Sequence, residues 1–479
     1  MSWMCRRMFL VAIAALWLPL PSGIARGAEG KTFRAGAFVA NITPEKFPIS
    51  VNGNMRDVQA TKAHDPLSAR CLVLDDGTTQ LVIVVVDSCM IPRELFDRAK
   101  TEIEKRIGLP TTRMMMSATH THEAVTVAGV FQSEPEPEYV EFLIGKIADG
   151  VETAWKQREP AKVGWAVGSD PSQVFNRRWY TAEGVANSDP FGQTTDKVRM
   201  NPGFSKEIKT KPSGPVDPEV SLLSVQSKEG RPIALLANYA LHYVGGVEPL
   251  SADYFGEFAV RIAQRIDAMK VEPPFVGIMS NGTSGNINNV NYGLESIVRK
   301  QPFEQIQHVA ASVADAAYQA YQKIEYKDWI ELKTAEEEVE LGVRLPTAED
   351  LAAARKRLEA AGAGPYSARE DIYARETVLM SAYPKTVKAR LQAFRIGELG
   401  IVSSPCETFV ETGLAIKKES PLKPTFCIEL ANGYNGYLPT PEHHELGGYE
   451  TWRARSSYLD AAAEPKIRST LLKLLNQVK

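Results

Sequence analysis

Two imidazoles stand two residues apart in Ser117-Ala118-Thr119-His120-Thr121-His122-Glu123, at the end of an apolar run. If that run is a strand, residues two apart share a face, so His120 and His122 would look into one pocket. Neutral imidazole is a common zinc ligand, and the C-terminal end of a strand is where α/β sheets place ligands. The plainer reading is two hydrogen-bonding histidines on a polar loop. A third imidazole, His242, again follows an apolar run, Leu236-Ala237-Asn238-Tyr239-Ala240-Leu241. Alone it reads as a satisfied core histidine. Glu407, after Ser403-Ser404-Pro405-Cys406, alone reads as a carboxylate at a helix N-terminus. The chain has only seven histidines, so three at strand ends are a large share.

These segments form an ordered set that resembles the neutral, non-lysosomal ceramidases, zinc-dependent amidases that cleave the N-acyl bond of ceramide. Ser117-Ala118-Thr119-His120-Thr121-His122 is similar to the family's S-G-T-H-T-H, and Asn176-Arg177 to its N-R-S. Asn238-Tyr239-Ala240-Leu241-His242 resembles N-W-F-x-x-H, and Asp253-Tyr254-Phe255-Gly256 the following D-N-K-G. Pro405-Cys406-Glu407-Thr408 resembles P-G-E-F/T, and the twelve-residue interval from Tyr437 to Tyr449 repeats the family's pair of tyrosines. The likeness begins near Phe38 and runs to Glu450, nearly the whole chain after the leader described below.

The resemblance implies a zinc ion held by His120, His242, Glu407 and Tyr437. It implies that His122 lies beside the metal and handles protons, and that Arg177 and Tyr449 hold the substrate carbonyl and its oxyanion. Such chemistry suits an amide, whose leaving amine must be protonated. Two departures bear on substrate. The family's G-D-V-S-P-N reads Gly285-Asn286-Ile287-Asn288-Asn289-Val290, which puts recognition of the lipid headgroup in question. Only 29 residues follow Glu450, so the immunoglobulin-like C-terminal domain of the family's larger enzymes is expected to be absent. No family role attaches to Tyr434, His443 or His444, and His64 and His308 read as surface or packing residues.

The elements that must position these groups alternate between strands and helices. Residues 81–86 (LVIVVV) read as a strand buried on both faces. Residues 92–107 follow as an amphipathic helix, 113–118 as the next strand and 139–155 as the next helix. Further strands are expected over 163–167, 221–226, 232–240 and 275–279, helices over 305–324 and 347–361, and a hairpin over 391–402 turning at Gly397-Glu398. Leu414 and Ile416 belong to a helix after it. Residues 181–218, polar and rich in Gly and Pro, read as a long surface loop. The expected fold is α/β: one catalytic domain, residues 29–479, with a mixed sheet and flanking helices.

Composition narrows the function classes. With 55 Lys+Arg against 58 Asp+Glu there is no basic footprint for nucleic acid. Arg6-Arg7 before an apolar stretch, residues 8–20, and small residues at Ala25, Gly27 and Ala28 read as a signal peptide over 1–28, with a twin-arginine flavour. An exported protein, periplasmic or secreted, is therefore expected. Cys71, Cys89, Cys406 and Cys427 remain after the leader, as buried thiols or as disulfides. The expected partner is an N-acyl lipid or another small amide, with transient contact to a membrane surface. The alternatives are a zinc hydrolase of a different N-acyl amine or ester, and a non-catalytic periplasmic binding protein.

Overall fold

The structure, a computed structural model, describes residues 31–246, 249–298 and 300–479. The expected leader, residues 1–28, lies outside them. All that follows concerns the compact unit Thr32–Lys479.

Eight strands form the larger sheet: β1 (Arg34–Asn41), β2 (Ser68–Asp75), β3 (Gln80–Val86), β4 (Met114–Ala118), β5 (Glu159–Ser169), β6 (Glu219–Ser227), β7 (Pro232–Tyr239) and β8 (Val276–Asn281). Their order is β8-β7-β6-β5-β1-β2-β3-β4. The outermost pairs are parallel, Ala234 beside Val276 and Val82 beside Met114, and the interior pairs antiparallel. Strands β1 and β5 pair only through Arg34–Ala35, so the sheet is two halves joined at one corner. Helices α1 (Arg93–Ile107) and α2 (Pro137–Lys156) cover the outer face of one half, and α3 (Asp253–Arg265) and α4 (Glu304–Tyr321) that of the other.

A second sheet lies against the inner face. It comprises β9 (Leu332–Gly342), β10 (Thr386–Ile396), β11 (Leu399–Ser403) and β12 (Thr425–Ile428), in that order. Helices α5 (Ala348–Ala361) and α6 (Arg369–Met380) lie between its first two strands. Helices α7 (Val410–Glu419) and α8 (Ala463–Val478) pack on its far side, giving layers of helix, sheet, sheet and helix. The alternation in β3 shows why this sequence needs both faces covered. Leu81, Ile83 and Val85 meet Phe394, Ile401 and Phe426 between the sheets, while Val82, Val84 and Val86 meet Phe96 and Leu143 under the helices. At about 1.5–3 kcal/mol for each such side chain buried, neither face of this strand can be left to water.

Three parallel strand-helix-strand units result, β3-α1-β4, β7-α3-β8 and β11-α7-β12. The segment after β12 ties their ends together. Glu429 N–H donates to Asn281 O (3.1 Å), Ala118 N–H to Leu430 O (3.1 Å), and Asn432 N–H to Met116 O (2.7 Å). The ends of β4, β8 and β12 thus converge.

The expected mixed α/β architecture and the elements that carry the candidate residues are present. Residues 181–218 depart from expectation: short strands at Arg178–Thr181, Val198–Met200 and Lys209–Pro212 make a three-stranded sheet where a loop was expected. Strands of only three or four residues are too short to show a periodicity. All four described cysteines are buried and free, which settles the open choice in favour of thiols.

Candidate metal centre

His120, His242 and Glu407 each leave the end of a parallel strand and meet. His120 Nε2 lies 3.1 Å from His242 Nε2 and 3.2 Å from Glu407 Oε2, and His242 Nε2 is 3.8 Å from the same oxygen. His122 Nε2 is 3.2 Å from His120 Nε2. All but His122 are almost fully buried. The pairing of the two histidines differs from the strand argument: β4 ends at Ala118 and His120 has φ 77°. A left-handed turn, not strand alternation, brings both rings to one point.

Hydrogen bonding decides what the convergence is. His120 Nδ1 lies 2.7 Å from Cys89 O, which can only accept, so Nδ1 carries a proton and Nε2 is the atom free for a cation. Without a cation Nε2 takes a second proton: burial opposes it, but the Glu407 carboxylate outweighs burial and holds the imidazole well above its ordinary value. Tyr434 Oη donates to Glu407 Oε1 (3.0 Å), leaving Oε2 buried without a hydrogen-bond partner. Three potential ligand atoms, His120 Nε2, His242 Nε2 and Glu407 Oε2, therefore converge, and the carboxylate oxygen among them has no hydrogen-bond partner. Each such buried, unmade bond costs about 1–3 kcal/mol, unless a cation completes the set. Two ligands about 2.0–2.1 Å from a tetrahedral zinc lie about 3.4 Å apart, and the observed separations bracket that value. The residues fit a metal ion. Cys89 also lies within ligand range of His120 and His122, but its Sγ sits 3.8 Å from Nδ1, on the ring side committed to Cys89 O. Burial moreover pushes its thiol up, away from the thiolate that binds metals.

Tyr437 is the neighbour of Glu407 on a parallel two-residue ladder, and Glu407 N–H donates to Gly436 O (3.0 Å). Its phenol accepts from Arg177 Nη2 (3.1 Å). Arg177 is fixed by Glu450 through Nε (3.1 Å) and by Gly285 O through Nη2 (2.8 Å). Arg178 shares the same carboxylate at 2.6 Å, and all three side chains are buried. Two guanidinium groups on one carboxylate leave a net positive charge beside the centre. Burial raises the Glu450 carboxyl, but Arg178 and Arg177 outweigh it and hold the group below its ordinary range. Tyr449 packs edge-on to Tyr437, with ring centroids 5.8 Å apart.

His122 stacks on Tyr243 at 3.7 Å and lies against Gly53. Gly53 has φ 93°, and a Cβ there would fall 2.4 Å from His122 Nδ1, so only glycine leaves the ring its place. Burial, the neighbouring His120 and Arg177 all push His122 well below its ordinary value, so its ring is neutral at neutral pH.

The seven expected site residues thus share one neighbourhood. Sequence reasoning left out Tyr434, which orients Glu407, and Glu450, which anchors Arg177. It also missed Glu429, whose Oε2 accepts from Thr408 N (2.7 Å) and whose Oε1 accepts from Ser284 Oγ (2.6 Å), bracing the turn beneath Glu407. Burial, with Glu407 adding to it, pushes Glu429 up to about 8. Asp253 accepts from Val244 and Gly245 N–H (both 2.9 Å) and shapes the loop after His242. The only sequence signals were the quoted D-Y-F-G segment and adjacency to Tyr449. The altered segment serves structure here: Asn286 Oδ1 caps α7 at Val410 N (2.9 Å), and Gly285 leaves room for the Glu407 backbone, 2.5 Å from where a Cβ would lie. His443 pairs with Glu411 (3.1 Å), His64 stacks on Phe303, and His308 is exposed on α4.

No protein-family model and no curated protein sequence matches the chain. Solved structures do. The neutral ceramidase from Pseudomonas aeruginosa superposes with a TM-score of 0.69 at 18% identity, over 93% of this chain and 74% of that one. A ceramidase complexed with C2 gives 0.70 at 17% identity, over 93% and 75%. The chain has the neutral-ceramidase fold.

Proposed function

We propose that this protein is an exported, zinc-dependent amidase that hydrolyses the N-acyl bond of ceramide or a related N-acyl lipid. The observation that carries the reading is the orphaned Glu407 Oε2 facing Nε2 of both His120 and His242, inside a fold shared with ceramidases. His120, His242 and Glu407 would hold the metal, with Tyr437 as a fourth, weaker ligand. Zinc so bound lowers the pKa of water toward about 7 and supplies a nucleophile at neutral pH.

The protein's own groups do the rest. The substrate carbonyl oxygen lies toward Tyr449 Oη and the positive Arg177 edge, donors that gain strength as negative charge develops there. The neutral His122 takes the proton of the attacking water and returns it to the amine nitrogen as the C–N bond breaks. Glu450 keeps Arg177 from turning away, and Tyr434 keeps the Glu407 carboxylate in one orientation. The leader expected over residues 1–28 supports export.

Fatty-acid release from ceramide and from short N-acyl amines, with and without a chelator, tests the reading. Release that stops on chelation and returns with zinc is expected; none from any amide would overturn it. Tyr449→Phe should keep its zinc and lose about 100-fold in kcat, the usual scale for one oxyanion donor. Unchanged turnover would remove that residue from the mechanism.

A further inference from the structure

Tyr449 has a second face. It lines a cavity of about 410 Å³, walled by Met55, Met200 and Trp452, and its ring lies 5.8 Å from that of Trp452. Two guanidinium groups, Arg199 and Arg369, also line this cavity, and no carboxylate does. Arg199 is half-buried, donating to Asn187 Oδ1 (3.3 Å) and Ala186 O (3.0 Å). Among the described residues it makes no ion pair. Arg369 lies 4.9 Å over the Trp452 ring, with Nη2 on Ser188 O (3.2 Å) and on the half-exposed Glu370 (3.1 Å). Its Nε is buried with no hydrogen-bond partner. Asp189 and Asp196 line the adjoining cavity, which shares Trp452.

A half-buried guanidinium without a counter-ion is poorly solvated, and its best complement is a carboxylate or phosphate. The amine half of ceramide carries hydroxyls but no charge, and would leave Arg199 without a counter-ion. We propose that the cavity beside Tyr449 is an anion subsite for the amine half of the substrate. The preferred substrates are then N-acylated amines that bear an anionic group, an N-acyl amino acid being the simplest. Arg199 is its specificity-determining residue and Arg369 assists. This inference rests on the amidase reading above and narrows its substrate class. In the reaction the amide C–N bond breaks, a C–O bond to water forms, and a water proton ends on the amine nitrogen. The products are a fatty carboxylate and a free amino acid. The apolar walls suit the aliphatic part next to the charge.

The test compares N-octanoylglycine, N-octanoylethanolamine and the phosphate ester of the latter as substrates of the zinc-loaded full chain. KM for the glycine conjugate or for the phosphate should be at least tenfold below that for the neutral amide; which of the two is lower identifies the anion. Arg199→Gln should narrow that gap to threefold or less, and Arg199→Lys should restore part of it. A neutral amide cleaved as well as the charged ones, or a gap that survives Arg199→Gln, would overturn the subsite. If no amide is cleaved, the hydrolase reading fails by itself. Calorimetry with N-octanoylglycine then still decides: binding weakened at least tenfold by Arg199→Gln supports the subsite, and equal or absent binding overturns it.

Discussion

Two buried polar clusters hang from one short segment, residues 429–432, and they are built in opposite ways. At Asn432 the accounts close. Its Oδ1 accepts from Lys100 Nζ (2.8 Å) and Met116 N (3.3 Å), and its Nδ2 donates to Gln392 Oε1 (3.0 Å) and Ser403 Oγ (3.3 Å). Donors meet acceptors throughout. A few residues away, above Glu429, three metal-ligand atoms meet instead: His120 Nε2, His242 Nε2 and Glu407 Oε2 converge, and Glu407 Oε2 has no hydrogen-bond partner. Burial and polarity are common to both, so neither marks function. What marks it is the missing donor, which at the histidine centre a cation would replace.

The largest test of that contrast is His120→Ala. The variant should lose its zinc and at least 1,000-fold in turnover, as expected when the ligand set that activates water is broken. Chelation should lower the Tm of the wild-type protein and leave that of the variant unmoved, because only the wild type has a cation to lose. Full zinc in purified His120→Ala, measured by elemental analysis, would place the metal elsewhere.

A smaller effect is expected at Gly53. Gly53→Ala sets a methyl against His122 Nδ1 at a residue already held at φ 93°. The imidazole must move, while His120, His242 and Glu407 need not. Zinc content should hold and kcat should fall about 10- to 100-fold, less than the roughly 100- to 10,000-fold that losing a proton-transfer group costs, because the imidazole is displaced and not removed. Wild-type kcat in this variant would show that the position of His122 is not needed for proton transfer.

Much of the larger sheet is legible in the sequence because its strands are buried on both faces and read as unbroken apolar runs, as at residues 81–86. The second sheet is harder. Strand β9 runs Leu-Lys-Thr-Ala-Glu-Glu-Glu-Val-Glu-Leu-Gly, and its mostly polar character hides an edge strand that carries charge. Helix α6 was also illegible: polar and apolar residues go round it without a clear face, although Ile372, Tyr373 and Met380 are buried. At the site, His120, His242 and Glu407 are legible because each follows a strand and matches a motif. Tyr434 and Glu429 are not, since what gives them meaning is contact with Glu407 and with the Thr408 turn, partners set by the tertiary fold. The His120–His122 pair shows that the right grouping can be reached through the wrong geometry. Two residues apart implied a strand; a left-handed residue does the work.

The smallest expected effect tests the satisfied cluster. Burial, reinforced by the charge of Arg390, lowers Lys100 from its ordinary 10.5 to about 7, against the opposing pull of Glu336 and Asp97. In the unfolded chain the amine keeps its proton up to about pH 10.4. Between about pH 7 and 10 the unfolded state therefore binds more protons than the folded one, and this lysine makes unfolding costlier as pH rises through that window. Below pH 7 both states are protonated, and the fold bears the full penalty of a buried charge. Lys100→Met removes the titration, so its gain in stability from pH 7.5 to 9.5 should be smaller than that of the wild type by about 2.5 kcal/mol. Urea denaturation at the two pH values measures this difference of slopes, which is independent of whatever packing the methionine gains or loses. Parallel slopes would mean that Lys100 stays charged in the fold. The contrast with the histidine centre would then weaken, since both clusters would hold an uncompensated group.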